Sequence, residues 1–272
     1  MAQNEVLAWF KVMDIVPTTA EVLRTQELFD ENGILDPDFR RDDDNGMVEL
    51  LEAPLVRAEQ FRKIAPIFFK EIKWWHFLRW APGVRGVALN NKAAFLAQEA
   101  SRDFDLFIVA SKNTVWLVRF FVTILAIVFN KRRTNKNFAG KWCLAFFLEE
   151  NVPIQSLALK PSDFELLWWE NNLLWLVSTE VSPSEPWRRM GHPTLCRRAF
   201  PWQIFSYLAK PFNYLAFLWQ KKYFLRKNQD RNEKREARNE LSEGVVLTSQ
   251  VAKFHTVDRR REHLEMWQKL IA

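Results

Sequence analysis

Between residues 84 and 148 the chain alternates short runs rich in β-formers with stretches of helical character, and this alternation limits the folds open to it. VRGVAL (84–89), DFDLFIVA (103–110) and WCLAFFL (142–148) read as strands, with helical stretches at 91–100 and 113–130 between them. Strands that alternate with helices predict an α/β (α+β) arrangement, a small mixed sheet backed by helices.

The flanks read differently. EVLAWFKVMDI has apolar residues at helical spacing, and Thr18 with Glu21 forms a capping box for AEVLRTQELFDENG, which Gly33 can end. MVELL then reads as a short strand, so residues 1–52 have the outline of a winged-helix-like unit. The acidic run Asp42, Asp43, Asp44 would repel phosphate at such a wing, so a nucleic-acid partner has no support from it. APLVRAEQFRKIAPIFFKEIKWWHFLRW predicts a long helix, bent or interrupted near Pro66, that leads into a core over 53–150. Residues 151–272 read as a mainly helical C-terminal region. It holds a long helix from 202 to about 240 interrupted at Pro211, an extended GVVLTSQVAKFH and a closing helix, RREHLEMWQKLI.

With 48% hydrophobic and 26% charged residues in 272, the chain can bury a core of ordinary size. Its net charge of +6 favours anionic partners such as nucleotides, RNA or an acidic membrane surface, without choosing among them. Cys143 and Cys196 form neither a CxxC pair nor a metal-ligand pattern with the four scattered histidines, and read as buried, reduced thiols. The start, MAQNEVLAWFKVMD, lacks the charge pattern and apolar run of a signal peptide, so a cytoplasmic protein is expected. VWLVRFFVTILAIVF (115–129) is nearly all apolar, but at 15 residues, with Arg119 inside, it falls short of the roughly 20 that cross a bilayer. It is expected to be a buried core helix, and a membrane surface met by 115–133 and the aromatic helix near 202–224 is the third and least favoured reading of the chain. The tryptophan pairs Trp74/Trp75 and Trp168/Trp169 read as core packing before base stacking. No GxGxxG, GxxxxGK[ST] or GxSxG motif occurs, which removes the usual dinucleotide, P-loop and serine-hydrolase readings.

The chemistry-bearing feature is the Asp-x-Asp that opens the second strand. Alternate residues of a strand share a face, so Asp103 and Asp105 point the same way while Phe104 packs on the other side. Two such carboxylates suit a hard cation such as Mg²⁺, whose shell is completed by water and substrate phosphate, although an aspartate before an apolar strand is also a common turn residue.

The order strand, short helix, Asp-x-Asp strand, long helix, strand resembles the nucleotidyltransferase superfamily of the DNA polymerase β type. More narrowly, VRGVALNNKAAFLAQEASRDFDLFIVASKNTVWLVRFFVTILAIVFNKRR resembles a bacterial group of nucleotidyltransferase-domain proteins. The resemblance takes in about two thirds of the chain and is specific only from the first strand to the Asp-x-Asp. It implies a nucleotidyltransferase palm in which Asp103 and Asp105 hold Mg²⁺, a nucleoside triphosphate is the substrate, and a nucleoside monophosphate passes to a hydroxyl acceptor. The family's Gly-Ser pair falls on Asn91 and Lys92. These cannot form the same close loop, though Lys92 can offer charge to a phosphate, and Asn90 and Asn91 can donate hydrogen bonds or act simply as a turn and cap. Where the family has a third carboxylate this chain has Ala145, with Glu149 as the nearest substitute metal ligand. The alternative implied is a catalytically degenerate relative that serves as a binding or regulatory protein.

Overall fold

The structure is a computed structural model that describes residues 2–31, 45–97, 101–157, 164–178, 202–236, 245–254 and 259–271, apart from the single positions 14, 16, 18 and 135. Thr18 and Gly33, expected to bound the second helix, lie outside the described residues, as does Cys196.

Among the described residues six strands form one mixed sheet in the order β4-β1-β2-β3-β6-β5. β1 (Val84–Leu89), β2 (Phe104–Ala110) and β3 (Trp142–Glu149) are the three runs of β-formers, and β4 (Leu174–Ser178), β5 (Val245–Leu247) and β6 (Val251–Phe254) come from beyond residue 150. β1 runs antiparallel to β2 and β4, β2 runs parallel to β3, and β6 runs antiparallel to β3 and β5. The mixed α/β sheet is therefore present. The boundaries expected at 52 and 150 do not separate its parts, because α3 (Asn45–Leu78) crosses the first and three strands lie beyond the second.

Each face of the sheet has its own core. On one, Phe104, Leu106 and Ile108 of β2 meet α3 and α5 (Val115–Val128) through Ile64, Phe68, Trp75, Trp116 and Val122. On the other, Phe107 and Val109 meet Phe146, Leu148 and α6 (Phe164–Asn171) through Leu166. A third cluster joins α1 (Ala2–Val12) and α2 (Thr19–Glu31) to Trp168 of α6 and Trp267 of α8 (Arg260–Ile271), with Trp9 and Phe10 fully enclosed. The remaining helices are the short α4 (Asn91–Ala94) and α7 (Trp202–Glu236).

Several expectations need correction. MVELL is not a strand but part of α3, so the described residues contain no helix-helix-strand wing. Met, Glu and Leu are strong helix formers, and the helical periodicity of the residues that follow simply begins earlier. α3 also continues through Pro66, and α7 through Pro211, without a break. Both prolines sit at exposed positions, where a ring costs one backbone hydrogen bond without crowding the core. The helix expected over 91–100 is a single turn, α4, ended by Phe95 and by Leu96 in a left-handed conformation (φ 52°).

One buried network ties α3 to the edge of the site. Glu71, only 3% exposed, accepts a hydrogen bond from Trp142 Nε1 at 3.0 Å and pairs with Lys131 Nζ at 2.5 Å.

Candidate functional site

Period-2 alternation places Asp103 and Asp105 as the sequence implies, with Phe104 fully buried on the opposite face against Trp75 of α3. Both acids sit at the N-terminal end of β2, one of the two central strands, and line a cavity of about 670 Å³. Asn91 and Lys92 line the same cavity, so the structure does bring the loop after β1 to the acid pair.

Each acid is already engaged. Arg133 Nη1 lies 2.8 Å from Asp103 Oδ2, and Asn91, held at φ 52°, donates from Nδ2 to Asp105 Oδ2 at 3.1 Å. Burial first, and then the neighbouring carboxylate of Asp105, raise the Asp103 pKa above the ordinary aspartate range, while Arg133 opposes both. Arg133 is positioned by backbone: its N–H donates to Trp142 O at 3.1 Å, and the Trp142 N–H donates to Lys131 O at 2.7 Å.

The third position differs from the expectation. In the parallel register Asp105 pairs with Cys143, and an irregularity follows before Phe107 pairs with Phe146. Cys143, not Ala145, therefore faces the acids, and one donor atom from each of Asp103, Asp105 and Cys143 can lie within 4.8 Å of the others. Burial, and then the charges of Asp105 and Asp103, push the thiol pKa far up, so it remains protonated. Glu149, named as a substitute ligand, is not brought to the pair. It lies opposite Ala110 at the far end of the strands, roughly 17 Å away at strand rise. There it accepts hydrogen bonds from Asn113 N at 2.8 Å and Gln250 Nε2 at 3.1 Å, shaping the turn into α5.

Asn90 is placed differently from its neighbours. It is 1% exposed, and neither amide atom of its side chain has a hydrogen-bond partner. Its backbone N–H donates to Asp105 O at 3.1 Å and its carbonyl accepts from Ala94 N at 3.3 Å, so its backbone ties β1 to the acid strand and opens α4.

Magnesium asks for hard oxygen donors in near-octahedral order. The three groups here are a carboxylate held by a guanidinium, a carboxylate held by an amide and a protonated thiol, and this donor set does not fit a resident magnesium ion.

The rest of the cavity was not visible in local sequence. Lys253 of β6 and Arg259, Arg260 and His263 at the start of α8 line it together with Lys92 and Arg102, against three carboxylates, Asp103, Asp105 and Glu165. Phe146, itself buried, stacks on the partly exposed Trp169 at the cavity wall, the rings 5.4 Å apart and 19° from parallel. His263 Nδ1 lies 3.1 Å from Glu165 Oε2. The local sequence features that touch the cavity are the basic runs Lys131-Arg132-Arg133 and Arg259-Arg260-Arg261 and the Trp168/Trp169 pair. Of these, Arg133 reaches the acids, Trp168 is core, and Trp169 faces the cavity.

The His263 pair carries a pH prediction. Its hydrogen bond to Glu165 raises the His263 pKa above 6.5 even though burial opposes it. The imidazolium is favoured in the folded state, so its contribution is fully present below about pH 6.5 and is lost as pH rises through the folded-state value. Urea unfolding followed from about pH 6 to 9 should show the parent losing stability relative to His263→Gln across that window. Parallel profiles would remove the pair as a stabilising element.

Compared with known proteins, the chain matches no family model, no curated protein and no solved structure.

Proposed function

We propose that the chain binds a nucleotide on a nucleotidyltransferase-like scaffold and does not transfer it. The observation that carries this reading is the occupation of the acid pair, with Arg133 2.8 Å from Asp103, inside a cavity whose other charged groups are mostly cations. A polyphosphate is recognised by such a set of lysine and arginine donors without a metal between them. Trp169, partly exposed on the cavity wall, offers an aromatic surface to a base, and base-on-aromatic stacking is worth about 1–3 kcal/mol. A cavity of about 670 Å³ lies in the range that takes a ligand of nucleotide size.

The same-side placement of Asp103 and Asp105 favours a second reading, Mg²⁺-dependent transfer of a nucleoside monophosphate to a hydroxyl acceptor. Calorimetry with ATP, GTP, CTP and UTP separates the two. On the binding reading, heat of binding persists in EDTA, survives Asp103→Ala/Asp105→Ala, and weakens about tenfold or more in Lys92→Glu/Arg259→Glu, the loss expected when charged hydrogen bonds are removed. Binding that needs Mg²⁺ and both aspartates, with label from an α-phosphate-labelled nucleotide retained on an acceptor, would return the protein to the transferase class. No binding to any of the four nucleotides would end both readings.

A further inference from the structure

A helix on the surface of a globular protein turns its apolar side inward and its polar side out. Over residues 207–226, α7 does the reverse. Its buried positions include Asn213 and Gln220, seven residues apart and on one stripe, while Tyr207 is 73% and Trp219 61% exposed and Leu208, Phe212 and Leu215 are exposed with them. The buried amides hold α7 to α5. Asn213 Oδ1 accepts from Trp116 N at 2.8 Å, Gln220 Nε2 donates to Trp116 O at 2.9 Å, and Arg119 of α5 donates to Gln220 Oε1.

α5 continues the pattern. Phe121, Ile124, Ile127 and Val128 face outward from a helix whose other side is core. Ring contacts join the two surfaces, with Phe120 against both Phe121 and Trp219, and Trp219 stacked on Tyr223. The face is also free of acids in sequence. No Asp or Glu occurs between Asp105 and Glu149, a stretch that includes the whole of α5. None occurs from Trp202 to Gln229, a stretch holding Lys210, Lys221, Lys222, Arg226 and Lys227. Lys210, Lys222 and Arg226 are exposed on α7 itself.

Polar side chains sealed between helices, an apolar outer surface with tryptophan and tyrosine, and exposed cations are the physical requirements of a helix pair lying in a membrane interface. We infer that α5 and α7 form a docking face for an anionic lipid bilayer, with Leu215, Phe212, Trp219 and the outer residues of α5 entering the headgroup–acyl boundary and Lys222 and Arg226 reaching lipid phosphates. The occupant is a lipid surface rather than a second copy because of charge. Two copies pressed face to face would bring acid-free cationic surfaces together, whereas an anionic leaflet neutralises them. No described helix is long and apolar enough to cross a membrane, so the contact is one-sided. This raises the reading that the sequence favoured least, a membrane surface met by 115–133 and the aromatic helix near 202–224, over the expectation of a buried core helix at 115–129. That expectation treated 115–129 as wholly buried, and its outer side is exposed.

Flotation of the full chain tests the inference, using vesicles of phosphatidylcholine alone and of phosphatidylcholine mixed with phosphatidylglycerol. The protein is expected to float with the anionic vesicles and, several-fold less, with the neutral ones. Leu215→Gln/Trp219→Gln, both at exposed positions, should abolish flotation with circular dichroism unchanged. Lys222→Glu/Arg226→Glu should weaken binding to the anionic vesicles by at least about tenfold, since each cation near such a surface contributes about 1 kcal/mol. Protein that stays unbound with anionic vesicles overturns the proposal. So does light scattering that finds a dimer which Leu215→Gln/Trp219→Gln converts to a monomer, because a second copy then covers the face.

Discussion

Glu71→Ala is expected to destabilise the protein by about 3 kcal/mol or more, the size seen when one partner of a buried ion pair is removed and the other is left uncompensated. For a chain of this size that lowers the melting temperature by about 6 to 12 °C. Two groups lose their partner at once: the Lys131 ammonium, whose side chain is 13% exposed, and the indole N–H of Trp142, which is 1% exposed. Glu71→Gln keeps an acceptor for the indole and should fall between the alanine variant and the parent. The damage is expected to reach the cavity as well. Lys131 is two residues from Arg133, and Trp142 is next to Cys143, so α3 holds both flanks of the acid pair through a single carboxylate. Thermal and urea unfolding check the result, and a loss under about 1 kcal/mol would mean that water satisfies Lys131 and Trp142 as well as Glu71 does.

Gly83→Ala is expected to cost about 2 to 4 kcal/mol, from two sources that add. Gly83 has φ +86°, a conformation that L side chains rarely adopt, and a methyl group there would lie 2.8 Å from both Thr114 Oγ1 and Val118 Cγ2. Neither neighbour yields easily. The Thr114 hydroxyl donates to Ser111 O at 2.7 Å, and Val118 is fully buried in α5. The turn itself is stitched to the same segment, with Ser111 N donating to Gly83 O at 2.8 Å. Gly140→Ala is the internal comparison, also at positive φ (+63°) but with its nearest contact, Ile67 Cγ2, at 3.3 Å. It should cost only about 1 kcal/mol, the backbone share alone. Equal losses in the two variants would show that crowding at Gly83 is relieved by repacking.

The extent to which this site could be read without coordinates follows the range of the forces involved. The Asp-x-Asp geometry was readable because the side-chain alternation of a strand depends on nothing beyond the strand. Cys143 was not, because the register of a parallel pair is set by packing across the sheet, and here Asp105 pairs with Cys143 while an irregularity changes the offset before Phe107 pairs with Phe146. In sequence Arg133 is one member of a basic run, and its reach to Asp103 depends on the backbone pairing of residues 131–133 beside β3. The MVELL error has a local cause: a short apolar run carries no period of its own, and the helix that follows decided it.

By itself the order of residues determined the first three strands, the helix between the second and third, and the side on which the two aspartates lie, since each follows from patterns a few residues long. Tertiary structure alone decided what those aspartates face. Lys253, Glu165 and His263 reach the cavity from distant segments, and an arginine and an amide reach the acids, because strand order and helix docking minimise exposed apolar area over the whole chain. The same packing turned α7 inside out. Its amides meet the first turn of α5 at Trp116, where the backbone N–H has no partner within the helix, and its aromatic side was left outside.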